Sequence, residues 1–308
     1  MHVAICIATC KRPKLLEQLL FNISALTFER TNPVPQISIV VVDNDAAGTA
    51  KDVCQQVSLP WPLTYVIEPK RGIASARNRA LRNAENADFI ALIDDDEAPA
   101  PEWLDELLWT RSQFNADVVS GPVVPIFTED VADWIKAGKF FYRQIHESGK
   151  ALNWFATNNV LISRRVLNQL SSFDERFQLT GGEDLQYSMK VHRAGFKIVF
   201  AKDAIVSEVI DADRANVQSI LKRAYQGGNC QVFVERSLDT GISAWITRFA
   251  KGCARTVQGI IEVMVAVLKG RVAALESMRR VCTGVGMLSG LIGFRYEPYR
   301  VIKGRSTA

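Results

Sequence analysis

Four consecutive carboxylates, Asp94-Asp95-Asp96-Glu97, form the densest acidic cluster in the chain and follow directly on the apolar run 89–93 (FIALI). Alternate residues leaving a strand project to the same side, so Asp94 and Asp96 are expected to face one pocket. Hard carboxylate oxygens suit Mg²⁺ or Mn²⁺, and such an ion would hold two phosphates and offset the charge of a departing diphosphate. The plainer alternative is a solvated acidic turn in which Glu97 and Glu102 favour the N-terminus of the next helix. Placement straight after a buried strand argues for the ion, because so much unneutralised charge beside a core is costly. A second pair, Glu183-Asp184, stands behind Gly181 and Gly182. Glycines let a backbone approach a ligand closely, and a carboxylate there could take the proton of an attacking hydroxyl. Helix capping would satisfy the same residues.

Lys70-Arg71-Gly72 and Arg77-Asn78-Arg79 gather polar and basic groups at a strand-to-helix junction, where cations and a helix N-terminus suit a pyrophosphate. A basic, solvated helix face is the alternative, and no P-loop or GxGxxG pattern occurs in the right context. Asp43 ends the run 37–42 (ISIVVV) and could accept a hydrogen bond from a base or ribose; taken alone, an Asx turn is the favoured reading, since Asp43, Asn44 and Asp45 are all good turn formers. His2, His146 and His192 are isolated, which argues against a histidine metal site.

These groups need a scaffold that converges them. Residues 3–8 (VAICIA) suit a strand buried on both faces. Pro13 opens a helix with Leu15, Leu16, Leu19, Leu20 and Ile23 on its apolar side, proline being well placed in a first turn. Further strands are expected at 37–42, 63–67 and 89–93, and helices at 49–57, 73–87 and from Pro101, the last carrying Trp103, Leu104, Leu107 and Leu108. Strand, helix, strand at this spacing predicts an α/β fold with a mostly parallel sheet flanked by helices. Ligands in such sheets bind beyond the carboxyl ends of the strands, where residues 9–12, 43–45, 68–72 and 94–97 all fall.

Past residue 120 the pattern loosens. Residues 154–163 (WFATNNVLIS) predict a strand with a polar turn inside it, and 196–200 another strand. Between them Thr180-Gly181-Gly182-Glu183-Asp184 leads into a helix that carries Leu185, Met189 and His192 on one face and ends at Ala194-Gly195. After Gly241 the sequence predicts a C-terminal amphipathic helical tail, with Ile242, Trp245, Ile246 and Phe249 on one face and Arg248 and Lys251 off it. The apolar runs 256–268 and 281–294 fall short of the ~20 residues that a spanning helix needs, so the tail is expected to lie in an interface or pack on the core.

Hydrophobic residues make up 48% and charged residues 23% of the 308, which excludes wholesale disorder. A net charge of +4 gives no argument for a nucleic-acid partner. Its distribution says more, because the basic and apolar tail from Arg248 to Arg300 suits an anionic membrane surface. Residues 1–9 lack the basic n-region of a secretory signal, and six scattered cysteines without a CxxC pair read as reduced thiols. The expectation is a cytoplasmic protein, peripheral on the cytoplasmic face of the inner membrane.

Taken in order, these motifs resemble the family 2 glycosyltransferases with the GT-A fold. The T-Y-N-R-like turn of that family appears as Thr9-Cys10-Lys11-Arg12, and its base-contacting aspartate matches Asp43. Its G-x-x-x-A-R-N segment runs from Gly72 to Arg77 and Asn78, its D-x-D metal motif falls on Asp94-Asp95-Asp96, and its E-D motif falls on Glu183-Asp184. The likeness spans residues 3–206, and DDDE followed by a Trp-Leu helix and then TGGED is similar to bacterial exopolysaccharide enzymes of the succinoglycan glucosyltransferase kind. Relatives carry an aspartate pair where this chain has Asp43-Asn44, which leaves donor preference open. The resemblance implies a GT-A catalytic domain at 1–206, with a nucleotide-sugar half at about 1–120 and an acceptor half at 121–206; the basic, apolar helical tail at 207–308 lies outside it, and the motifs do not cover the chain beyond Gly241. It implies an inverting, metal-dependent hexosyltransferase moving sugar from a UDP-sugar to a hydroxyl of a glycan or lipid-linked oligosaccharide in bacterial surface polysaccharide synthesis. Asp184 would be the base, and Asp96 with Asp94 would hold Mg²⁺ or Mn²⁺. Thr9, Arg12, Asp43, Lys70, Gly72, Arg77, Asn78, Asp94, Asp95 and Glu183 would surround the donor. Two rivals stay open: a polyprenyl-phosphate sugar transferase, and an inactive, membrane-associated scaffold of a polysaccharide assembly complex. A glycosidase also uses two carboxylates, but a metal-type cluster beside a phosphate-like site is surplus to hydrolysis.

Overall fold

The computed structural model describes residues 1–298, so Arg300 of the basic tail lies outside the described residues. Strands β1 (His2–Thr9), β2 (Gln36–Asp43), β3 (Leu63–Ile67) and β4 (Phe89–Asp94) pair in parallel in the order β3-β2-β1-β4. The chain leaves β1 in one direction and returns to its other side for β4, and the loops that part at such a switch point leave a crevice. Register sets Thr9 opposite Asp43 and Ala8 opposite Asp94, so the predicted polar ends emerge at one level.

The alternation of β1 decides the layers. Val3, Ile5 and Ile7 pack with Leu16, Leu19 and Leu20 of α1 (Pro13–Ser24) and with Trp103 and Leu104 of α4 (Trp103–Phe114); α2 (Lys51–Gln56) lies on the same face. Ala4 and Cys6 pack on the opposite face with Ala74 and Ala80 of α3 (Ile73–Asn83) and with Tyr187 and Val191 of α7 (Glu183–Arg193). The expected helices at 49–57 and 73–87 are thus shorter. Residues 84–87 turn into β4, and the Arg164 side chain donates to the carbonyls of Ala84 and Ala87 there.

Beyond β4 the main sheet continues through β8 (Asn159–Ser163), β6 (Val118–Ser120) and β9 (Ile198–Phe200). β8 runs antiparallel to β4 and β6, while β6 and β9 are parallel. The mostly parallel sheet flanked by helices is therefore present. The strand expected over 154–163 begins only at Asn159. Asn158 instead donates to Glu97 at 2.6 Å, and the buried Asn159 accepts from the Trp103 indole at 2.8 Å and donates to the carbonyls of Pro122 and Ala204. The two asparagines end a loop and found a strand rather than interrupting one.

A second sheet, in the order β5-β10-β7, was not expected. In it β10 (Val206–Ile210) pairs antiparallel with β5 (Glu97–Pro99) and parallel with β7 (Val123–Phe127). β10 starts where the motif coverage ends. The short helices α5 (Asp133–Ala137) and α6 (Arg164–Gln169) fill the connections, and the chain closes with α8 (Val217–Leu238), α9 (Ile242–Ala266) and α10 (Arg271–Leu291). Among the described residues no helix is long and apolar enough to cross a membrane. All six cysteines are free.

Candidate active site

Two strand ends and two helix starts build the site. At the end of β1 the Thr9 hydroxyl donates to Asp95 at 2.8 Å, and Arg12, just before α1, donates to Asp95 at 3.0 Å and to Asp96 at 3.4 Å. Asp95 is buried, and that burial raises its carboxyl to about 6 even with Arg12 beside it. Thr9, Arg12 and Asp95 therefore form a strut that fixes the 94–97 turn against β1. Of that turn, Asp94 and Asp96 are the half-open members. They do not share one partner: Asp94 faces Arg77, while Asp96 faces Arg12 and Arg214.

Arg77 joins the two carboxylate motifs. From the first half of α3 its guanidinium donates to Asp94 at 2.9 Å and to Glu183, the first residue of α7, at 2.5 Å. Arg77 and Glu183 are both almost wholly buried. Burial raises the Glu183 carboxyl to about 7 against the pull of Arg77, and its second oxygen has no hydrogen-bond partner among the described residues. Asp184 follows on the same turn, accepts its neighbour's Leu185 N–H at 2.7 Å, and stays half-open. The turn requires its glycine. Gly182 has φ +92°, and a Cβ there would sit 2.2 Å from Cys230 Sγ of α8, so the tail packs directly on the turn that presents Glu183 and Asp184. Removing one member of a buried ion pair leaves the other charge uncompensated. Arg77→Met is accordingly expected to lower unfolding stability by about 3–5 kcal/mol, read as a fall in the denaturant midpoint; an unchanged midpoint would show that Arg77 does not hold these motifs together.

The loops beyond β2 and β3 are tied to each other. Asn44 donates to the carbonyls of Glu68 at 2.9 Å and Lys70 at 2.8 Å and accepts from the Gly72 N–H at 2.7 Å. Gly72 itself has φ +136°, and a Cβ would come within 2.5 Å of Gln178. Asp43 is fully buried; it accepts from the Asp45 and Ala50 N–H groups at 3.1 and 2.8 Å and from the Tyr65 hydroxyl at 3.0 Å. The contact to Asp45 is the Asx turn named above, so Asp43 shapes the loop from behind. Asn78 is also turned inward, bonding Phe173 through both its amide and its carbonyl group. Lys70 is exposed and pairs with Glu175.

The second sheet adds what the motifs did not announce. Glu208 of β10 lies opposite Glu97 and pairs with Arg214 at 2.6 Å; Arg214 reaches to 3.9 Å from Asp96. Glu97 is buried, accepts the Asp94 N–H at 3.1 Å and is pushed well above the usual carboxylate range, first by burial and then by Asp94. Asp94 is raised in the same way by burial, with Asp96 adding to it and Arg77 opposing. Such surplus negative charge is what a divalent ion relieves. Among the described residues no three His, Cys, Asp or Glu side chains converge on a metal position. Mg²⁺-type ions, however, commonly take one or two carboxylates and complete their shell with substrate phosphates and water, and Asp96 and Asp94 are the two half-open carboxylates of this turn. A cleft of about 1500 Å³ opens at this point, bounded by Arg12, Asp96, Phe21, Val209, Arg214 and Gln226, which is roomier than the ~300–1,000 Å³ of a single small-ligand site.

Comparison with known proteins bears on this arrangement. The family model described as Glycosyl transferase family 2 matches residues 4–171, and the one described as Glycosyl transferase family group 2 matches residues 89–288. Over 235 residues the chain is 31% identical to the succinoglycan biosynthesis protein ExoM of Rhizobium meliloti, an alignment covering 74% of this chain and 73% of that protein. Its fold is similar to that of the mannosyltransferase PcManGT from Pyrobaculum calidifontis, solved in complex with GDP-Man and Mn²⁺, with a TM-score of 0.64 and 16% identity across 94% of this chain and 86% of that one. S. aureus TarS 1-349, solved in complex with UDP, gives a TM-score of 0.53 and 14% identity across 96% of this chain and 93% of that one.

Proposed function

Because the chain belongs to glycosyl transferase family 2, we propose that this site moves one hexose from a UDP-sugar to a hydroxyl of a glycan or lipid-linked oligosaccharide, inverting the anomeric centre, in the synthesis of a bacterial surface polysaccharide. The observation that carries the reading is Arg77, which binds Asp94 of one motif and Glu183 of the other and so makes the donor end and the base end a single site.

In the proposed step the acceptor oxygen attacks the anomeric carbon. The bond from that carbon to the diphosphate oxygen breaks, and the diphosphate leaves with the electron pair. Asp184 takes the acceptor proton, a role suited to a half-open carboxylate on a fixed turn. Arg77 and Glu183 keep that turn in place, and Thr9, Arg12 and Asp95 keep the 94–97 turn in place. Asp96 with Asp94 would hold Mg²⁺ or Mn²⁺, and when bound the ion would supply positive charge against the departing phosphates. Lys70, Gly72 and the α3 N-terminus face the donor side, with Asn44 and Asp43 shaping the loops there from behind and Asn78 buttressing α3. The cleft beside Asp96 leaves room for an acceptor sugar next to the donor. The catalytic unit then extends through β10, and α8 to α10 form the tail. A lipid-linked acceptor would bring the chain, as a peripheral protein, to the cytoplasmic face of the inner membrane.

A binding and hydrolysis screen of nucleotide sugars with Mn²⁺, Mg²⁺ or EDTA tests the reading. Metal-dependent binding or slow turnover of a UDP-hexose is expected. Binding of a GDP-sugar alone would correct the nucleotide, and binding of no donor by the folded protein would move the scaffold reading to the front.

A further inference from the structure

Helix α9 is amphipathic in the wrong sense for a helix that only packs on a protein. The residues it buries are Gly252, Gly259 and Ala266, which let its backbone close on α10: a Cβ on Gly259 would come within 2.8 Å of the Val281 nitrogen. Its large apolar side chains instead face outward. Ile246, Val257, Ile261 and Met264 are 56%, 55%, 55% and 67% exposed, and Trp245 and Phe249 stack on each other beside them with centroids 5.5 Å apart. At 1.5 Å per residue the helix is about 37 Å long, so the stripe runs the length of a small domain. A soluble helix normally shows the reverse pattern, and exposed apolar surface on this scale marks an interaction site.

Charge selects the occupant. From 242 to 271 the chain carries Lys251, Arg255, Lys269 and Arg271, together with Arg248, which pairs with Glu235 of α8, against the single carboxylate Glu262, which pairs with Arg280. Lys251, Arg255, Lys269 and Arg271 are exposed. A second copy docked face to face would bring the same basic patch to the contact twice and add no carboxylate to offset it beyond the paired Glu262. An anionic bilayer complements them, and an apolar stripe with aromatic residues and flanking cations is what lies in the plane of its interface. We propose that the outward stripe of α9 docks on an anionic lipid surface with the helix parallel to the membrane. The inference rests on the lipid-side setting proposed above, which it deepens by naming the surface, and it is independent of the donor chemistry.

Co-sedimentation of the full chain with vesicles tests it, comparing phosphatidylcholine alone with phosphatidylcholine mixed with phosphatidylglycerol. Wild type is expected to pellet with the anionic vesicles at least about tenfold better. The variant Trp245→Ser/Ile246→Ser/Phe249→Ser should lose at least about tenfold of that binding while keeping its helical circular dichroism and its nucleotide-sugar binding. Lys251→Gln and Arg255→Gln should each weaken anionic-vesicle binding roughly fivefold. Should the triple variant not fold, Met264→Glu probes the same stripe, and wild-type pelleting by it would overturn the proposal. So would wild type remaining in the supernatant with anionic vesicles, or sedimenting as a dimer that the triple variant dissolves. Absence of donor binding by the wild-type chain would count against the transferase reading alone.

Discussion

Asp184→Asn is expected to lower the transfer rate by roughly 10²- to 10⁴-fold, the range a positioned general base contributes, with donor affinity close to wild type. The change is nearly isosteric, and the Asp184 oxygen that accepts the Leu185 N–H keeps an equivalent carbonyl in asparagine. The turn geometry should therefore persist while the proton acceptor is lost. Glu183 makes a useful contrast. It is buried against Arg77, so Glu183→Gln perturbs an ion pair and should reduce stability along with rate. Rates measured at saturating donor, with thermal midpoints, separate the two. If Asp184→Asn turns over near the wild-type rate, the proton goes elsewhere and the base assignment is wrong.

Asp96→Ala should remove the metal-dependent part of donor binding. At least the roughly 10- to 100-fold loss of metal affinity that follows from changing a residue behind a ligand is expected. The structure adds a sharper outcome. Asp96 is held by Arg12 and is near Arg214. Without the carboxylate those guanidiniums face the cleft with one fewer partner, and they bind phosphate well. Nucleotide affinity in EDTA should then equal or exceed that of wild type while the gain on adding Mn²⁺ disappears. Calorimetric titration with and without metal decides the matter; an undiminished Mn²⁺ effect would take the ion away from Asp96.

What the sequence disclosed follows from locality. The runs ISIVVV and FIALI are continuous and apolar, so β2 and β4 were expected within a residue of where they lie, and the polar ends they carry emerge together because parallel register leaves no choice. Trp103, Leu104, Leu107 and Leu108 are all buried as their spacing required. The second sheet was hidden because β5 and β10 are short and bear charge, and what makes them strands is each other. Glu208 and Arg214 have no motif around them; only pairing with β5 brings them to Asp96. Asp43 illustrates a different limit. Its type alone favoured an Asx turn over a ligand contact, and three internal hydrogen bonds now occupy it. Asn44 has its own logic: it donates to two carbonyls, which a carboxylate cannot do. The separate partners of Asp94 and Asp96 were also illegible, since Arg77 lies within α3 while Arg12 precedes α1.

The pairing of β10 with β5 also orders events in time. During synthesis the carboxylates at 94–97 leave the ribosome long before Glu208 and Arg214 exist, and β5 waits as an unpaired edge beside them. A chain stalled short of residue 206 would hold the strands of its main sheet and still lack one wall of the acidic turn. The 94–97 turn would thus reach its final surroundings only once the chain is translated past Arg214, beyond the motif at Glu183-Asp184.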